Sequence, residues 1–258
     1  MQTWIRTFHP APGAPTRLLC LPHAGAGATA YHALSAALPD GIEALCVQYP
    51  GRLDRIGTPC LDSIDALADG VCAELAHPGN GSLPVAVLGH SMGALVGYEV
   101  TRRLEAQGQP VAALFASAMQ APSQRSLPFG TPGADFPTDA WILAKMGRLG
   151  GTAAELLSNP DVLDFALPAL RADFRAIHTY PRQPAAQLRC PVVAVTGDSD
   201  PDVTVEDARA WRNETTAPFG LHVLPGGHFY LYDRIEELTG ILTRSLLTGP
   251  LPAGAHPC

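Results

Sequence analysis

Two hydrophobic patterns alternate along this chain. Short continuous apolar runs fall at 18–21, 44–48, 85–88, 111–118, 192–196 and 221–224. Runs of this length read as strands buried on both faces. Most are separated by longer stretches in which apolar residues step by three and four. In 62–76 the stripe is Ile64, Leu67, Ala68, Val71 and Leu75, which reads as an amphipathic helix. The same reading predicts helices over 30–38, 94–107, 205–212 and 234–247. Trp4 to Phe8 alternates large apolar with polar residues and predicts an edge strand. Strands alternating with helices imply an α/β fold, a mostly parallel sheet with helices on both faces.

The alternation breaks between 118 and 192. A strand–helix–strand crossover needs only ~30 residues, so the surplus, 123–186, is predicted to be a helical lid inserted between core strands of a single domain spanning 1–258. Leu163, Leu167, Leu170, Phe174 and Ile177 form one apolar stripe there. Pro168 is expected to kink or split that helix, because proline lacks the N–H and clashes with the preceding turn. Trp141, Ile142 and Met146 belong to a shorter helix that stops at Gly150-Gly151. Arg171 and Arg175, four apart on the polar side, read as a solvated face.

Composition narrows the function classes. At 47% hydrophobic the chain can bury a large core, and its net charge of −7 argues against nucleic acid as a partner. No apolar run approaches the ~18 residues of a membrane span. Residues 1–8 lack the apolar core of a signal peptide, so a cytoplasmic location is expected. Six cysteines include no C-x-x-C pair and read as buried or incidental thiols rather than a disulfide framework or a zinc site. No phosphate-binding or dinucleotide fingerprint is present, and neither a metal nor a cofactor is expected.

The chemistry concentrates at Gly89-His90-Ser91-Met92-Gly93. A buried strand precedes this G-x-S-x-G pentapeptide and a helix follows it, the context of a nucleophile elbow. Serine at the apex takes a strained backbone conformation that lifts its Oγ above the sheet edge. The backbones approach so closely that a Cβ two residues before or after the serine would clash. The Met92 amide then opens the helix, unpaired, where an oxyanion would develop. A second oxyanion donor is expected from the glycine-rich loop Pro22–Gly27, and the amide of Ala24 is nominated.

Serine needs a base beside it. His228 follows the last predicted strand and a Gly-Gly turn, which places it on the loop edge of the sheet. His90 is too constrained inside the elbow. His23 is expected to shape the oxyanion loop, while His178 and His222 read as lid and strand residues. The orienting acid should follow the strand at 192–196, where Asp198 and Asp200 both stand. A side chain still on the strand points above or below the sheet, whereas one further along the loop can turn along its edge. That favours Asp200 and leaves Asp198 to cap the loop.

Several motifs together resemble the stand-alone type II thioesterases of polyketide and nonribosomal peptide synthesis, members of the α/β-hydrolase superfamily. They are Leu-Pro-His-Ala-Gly-Ala-Gly-Ala (21–28), Tyr-Pro-Gly-Arg (49–52), Gly-His-Ser-Met-Gly-Ala (89–94), Leu-Gly-Gly-Thr (149–152), Leu-Arg-Ala-Asp-Phe-Arg-Ala (170–176), Gly-Asp-Ser-Asp-Pro (197–201) and Gly-Gly-His-Phe-Tyr-Leu (226–231). The chain departs from the pattern at 122–139, a longer Pro/Gly-rich segment. The resemblance implies hydrolysis of acyl groups stalled on the phosphopantetheine arm of acyl or peptidyl carrier protein domains. Matched residue by residue, it points to Ser91, Asp200 and His228, with the amides of Ala24 and Met92. The competing readings are a general carboxylesterase, which the same three residues would serve, and a non-catalytic carrier-docking protein. Docking is expected to use a local basic patch drawn from Arg52, Arg55, Arg125 and Arg182, at loop positions.

Overall fold

A computed structural model of the chain describes residues 3–77, 84–124, 136–150, 160–181 and 187–248. Its centre is a seven-stranded sheet in the order β1-β3-β2-β4-β5-β6-β7. The strands are β1 (Ile5–Arg6), β2 (Thr16–Leu21), β3 (Ile42–Val47), β4 (Val85–His90), β5 (Val111–Ser117), β6 (Val192–Gly197) and β7 (Phe219–Leu224). All pairings are parallel except β1 with β3. The predicted edge strand at 4–8 thus shrinks to two paired residues, Ile5 opposite Val47 and Arg6 opposite Cys46.

Side chains alternate across the strands, so each apolar run feeds two cores. Leu18 and Cys20 of β2 face one side and pack in a cluster with Ile241 and Leu242. Leu19 and Leu21 face the other, with Leu67, Val71 and Val96. The first side is covered by α1 (His32–Ala37) and by α8 (Ile235–Leu247). The second is covered by α2 (Ile64–Leu75), capped by the Ser63 side chain, and by α3 (Met92–Ala106). Two short helices complete the core, α6 (Val205–Arg209) and α7 (Tyr230–Asp233).

Within the predicted insertion, α4 (Asp139–Leu149) ends at Gly150, which adopts φ 75°. The longer α5 (Pro160–Thr179) runs unbroken through Pro168, so the expected split does not occur. Pro168 and Asp164 both lie on the exposed face. Water can therefore satisfy the Asp164 carbonyl that proline leaves without a donor. The opposite face buries Leu167, Leu170 and Phe174 against the second core. Arg171 is not simply solvated: its guanidinium makes two bonds of 2.7 Å to Asp139, joining α5 to α4.

Candidate active site

Sheet topology gathers the site. The loops after β2, β4, β6 and β7 all leave the same edge, because these four strands run parallel. Leu21 pairs with Gly89, so the loop carrying Ala24 starts beside the turn carrying Ser91. At that turn Ser91 adopts φ 54° and ψ −121°, a conformation that glycine favours. The flanking glycines are there for space. A Cβ on Gly89 would lie 2.1 Å from the Gly93 carbonyl oxygen, and one on Gly93 would lie 2.0 Å from that of Leu21. The second clash is with the neighbouring strand, not with the elbow's own, so the spelling of the pentapeptide depends on the sheet as well as on the turn.

Ser91 Oγ stands 3.1 Å from His228 Nε2. His228 Nδ1 stands 2.9 Å from Asp200 Oδ2. A carboxylate only accepts, so Nδ1 carries the proton and Nε2 turns its lone pair to the serine hydroxyl. The Asp200 carboxylate is fully enclosed. Its second oxygen accepts the amides of Asp202 at 2.8 Å and Val203 at 3.2 Å. Asp198, the other candidate acid, accepts the Gly226 amide at 3.0 Å and ties the β6 loop to the loop preceding His228. The structure therefore brings Ser91, His228 and Asp200 into one hydrogen-bonded line and keeps Asp198 off it.

Two further histidines stand close to this line. His90 is buried and its Nδ1 meets Ser117 Oγ at 2.7 Å; that hydroxyl in turn meets Tyr230. Burial, with His228 and His23 nearby, holds His90 well below the usual histidine range. His23 Nδ1 donates to the Ala24 carbonyl at 3.0 Å, and its Nε2 accepts from the Tyr232 hydroxyl at 2.8 Å. Burial lowers its pKa to about 4, against the effect of the Ala24 carbonyl. Both imidazoles are neutral structural groups at neutral pH.

Ala24 lies in the turn after β2, where the Ala26 amide donates to the His23 carbonyl at 3.1 Å. Met92 is the first residue of α3, and its amide has no partner within the helix. The two nominated donors thus belong to the loop after β2 and to the first residue of α3, on either side of Ser91.

A cavity of about 350 Å³ opens over Ser91 and His228. Met119, Trp141, Leu149, Phe174 and Ile177 give it apolar walls. Lys145, Arg148 and Asp202 form a charged border, with both cations paired to Asp202. Phe174 of the predicted apolar stripe lines the cavity, whereas Leu163 of the same stripe packs at the margin of the core. Among the described residues no group of three or more His, Cys, Asp or Glu stands together to hold a metal, and no helix is long and apolar enough to cross a membrane.

The basic docking patch expected from the sequence is corrected at two of its four arginines by burial. Arg52 is 5% exposed and bound to Asp173 of α5 by contacts of 2.7 and 2.9 Å. Arg55 is 7% exposed, lies over the Trp4 ring and donates to the Gln48 carbonyl. Neither can greet a partner from solvent. Arg125 and Arg182 lie outside the described residues, as do Gly151 and Thr152 of the 149–152 motif. Sequence reasoning missed Asp173 as a site residue. It sits on the apolar face of α5 between Leu170 and Phe174, and a carboxylate at such a position is the signal that could have found it.

The family model of the thioesterase domain matches residues 16–246. A probable cadicidin biosynthesis thioesterase of Streptomyces griseus is 40% identical over 243 residues, 94% of this chain and 66% of that protein. The thioesterase PikA5 of Streptomyces venezuelae is 41% identical over 245 residues, covering 95% of this chain and 85% of its own. Among solved structures, the type II thioesterase BorB from the borrelidin biosynthetic cluster superposes with a TM-score of 0.84 at 41% identity, over 95% of this chain and 99% of that one.

Proposed function

The chain belongs to the thioesterase domain family, and on that premise we propose that it hydrolyses acyl thioesters carried on the phosphopantetheine arm of acyl or peptidyl carrier proteins. In this reading it clears stalled or aberrant acyl groups from a polyketide or nonribosomal peptide assembly line. The observation that carries the chemistry is the line from Ser91 through His228 to Asp200, with contacts of 3.1 and 2.9 Å, beneath a largely apolar cavity. Relatives named for cadicidin and borrelidin biosynthesis support the choice of substrate class.

His228 Nε2 takes the Ser91 proton as Oγ adds to the thioester carbonyl. The carbonyl oxygen becomes an oxyanion facing the amides of Met92 and Ala24, preorganised donors that need not reorient as charge develops. Asp200 holds the imidazole in the tautomer that can accept this proton and stabilises the imidazolium that forms. Collapse of the tetrahedral adduct expels the pantetheine thiol, which leaves with the proton from His228. A water molecule then gives its proton to His228, adds to the acyl-serine carbonyl, and collapse returns the proton to Ser91. No cofactor enters, since the substrate brings its own phosphopantetheine.

In this reading α4 and the cavity-lining half of α5 form a lid over the acyl group. The deciding experiment is a panel of acylated carrier proteins incubated with wild type and Ser91→Ala and followed by intact-protein mass spectrometry. Loss of the acyl mass with wild type alone is expected. A matched oxygen ester hydrolysed as fast as its pantetheine thioester, with acyl-carriers untouched, would make the protein a carboxylesterase. No turnover of either would leave a carrier-docking protein.

A further inference from the structure

We propose that Arg52 and Asp173 are positioning residues, a buried ion pair that aims the Ala24 amide at the oxyanion. The proposal rests on the mechanism above, in which that amide is one of two oxyanion donors. A trans peptide holds its C=O and N–H antiparallel, so fixing one end of the unit aims the other. The unit between His23 and Ala24 has its carbonyl held by the Ala26 amide at 3.1 Å. Its other end is the Ala24 N–H. The next unit, Ala24 to Gly25, is pinned at both ends. Its carbonyl accepts from His23 Nδ1 at 3.0 Å, and its N–H donates to Asp173 Oδ2 at 2.8 Å.

Arg52 and Asp173 supply the outer frame of this turn. Arg52 Nη1 reaches Asp173 Oδ2 at 2.7 Å and also the Ala26 carbonyl at 3.2 Å; Nη2 reaches Asp173 Oδ1 at 2.9 Å. Its Nε donates to the Pro50 carbonyl. The pair therefore grips the turn at the Gly25 amide and at the Ala26 carbonyl, immediately beyond the candidate donor. The turn also leaves no slack. Gly25 has φ +77°, and a Cβ there would lie 2.6 Å from a Leu170 methyl.

Stability alone does not account for these charges. Asp173 is 0% exposed and Arg52 5%, and a buried ion pair can often be replaced by apolar residues without loss of stability. What apolar residues could not do is bind the Gly25 amide and the Ala26 carbonyl.

The test pairs Arg52→Met with Asp173→Leu in one chain, so that neither charge is left alone. Two quantities are read on protein of normal circular dichroism: the rate at which a fluorophosphonate labels Ser91, and kcat and KM for an acyl-pantetheine thioester. Displacing one oxyanion donor should slow labelling and kcat about 10–100-fold. KM should stay within about twofold, and the pH midpoint of kcat/KM should not move, since His228 and Asp200 are intact. Arg52→Lys, which keeps the charge but not the fork, should fall between. Wild-type labelling and kcat in the folded double variant would overturn the proposal. If that variant does not fold, Arg52→Met with Asp173→Asn, which leaves no lone charge, keeps an acceptor for the Gly25 amide and frees the Ala26 carbonyl, decides the question on the same readouts. A wild type that is labelled but hydrolyses no thioester would end the thioesterase reading, while the labelling comparison would still decide the role of the pair.

Discussion

Asp198 and Asp200 are two positions apart and hold different partners. Asp200 binds the imidazole that faces Ser91, whereas Asp198 binds a loop amide. Asp200→Asn should therefore lose on the order of 10²–10⁴ in kcat, because an amide no longer enforces the tautomer or stabilises the imidazolium. Asp198→Asn keeps an oxygen that can accept from Gly226 and should lose roughly tenfold or less. Steady-state kinetics on both variants, each checked by circular dichroism, gives the comparison; the reverse ranking would exchange their roles. His23 supplies a second residue-scale expectation. Its folded-state pKa lies near 4, against an ordinary value of 6.5. The unfolded chain therefore takes up this proton first as pH falls, and the folded state loses stability from about pH 6.5 down to about pH 4. His90 adds to the slope in the same direction. In His23→Asn the fall of Tm across that window should be shallower than in wild type, whatever the Tm at pH 7.

Among the elements, the two helices over the cavity are fastened differently. α5 is anchored by Asp173 in the core, and Leu167, Leu170 and Phe174 bury the same face. α4 buries only Ile142 and Met146, and charged side chains complete its attachment. Lys145 and Arg148 bind Asp202 next to the loop of the orienting acid, and Asp139 binds Arg171. Opening of the site is thus expected to begin at α4, while the Asp173 end of α5 stays with the oxyanion loop. Asp202→Asn should speed amide hydrogen exchange over 143–149 and leave 170–179 protected, as read by exchange mass spectrometry. Equal acceleration in both segments would mean that the two helices open as one. The sequence showed the apolar stripe of α5 but implied a break at Pro168. Periodicity locates a helix face without revealing that the proline lies outward, where its missing bond does little harm.

For the molecule as a whole, the sheet and the relay were legible for a shared reason. Buried parallel strands must be continuous apolar runs, and each candidate residue of the hydrogen-bonded line stands a short distance past the end of one. Ser91 follows β4, Asp200 follows β6 and His228 follows β7, so local patterns located all three. The link between Arg52 and Asp173 was not legible. It joins positions far apart in the chain, and an arginine in a loop after a strand reads as solvent-facing until the insertion packs over it. The same blindness placed Arg52 and Arg55 in the docking patch, from which their burial removes them.

The backbone of Ser91 carries a consequence for the stability of the entire chain. A non-glycine residue with φ 54° and ψ −121° stores on the order of 1–3 kcal/mol of strain, held in place by the surrounding fold. Glycine would release most of it, less the entropy that it adds to the unfolded state. Ser91→Gly is therefore expected to melt above Ser91→Ala by about 2–4 °C, the size of a gain on the order of 1 kcal/mol in a domain of this length. Calorimetry on the two variants checks it, and an equal or lower Tm for glycine would place the strain elsewhere. On the proposed mechanism, selection for durability alone would thus erase the nucleophile, and at position 91 the most stable molecule and the reactive one would be different molecules.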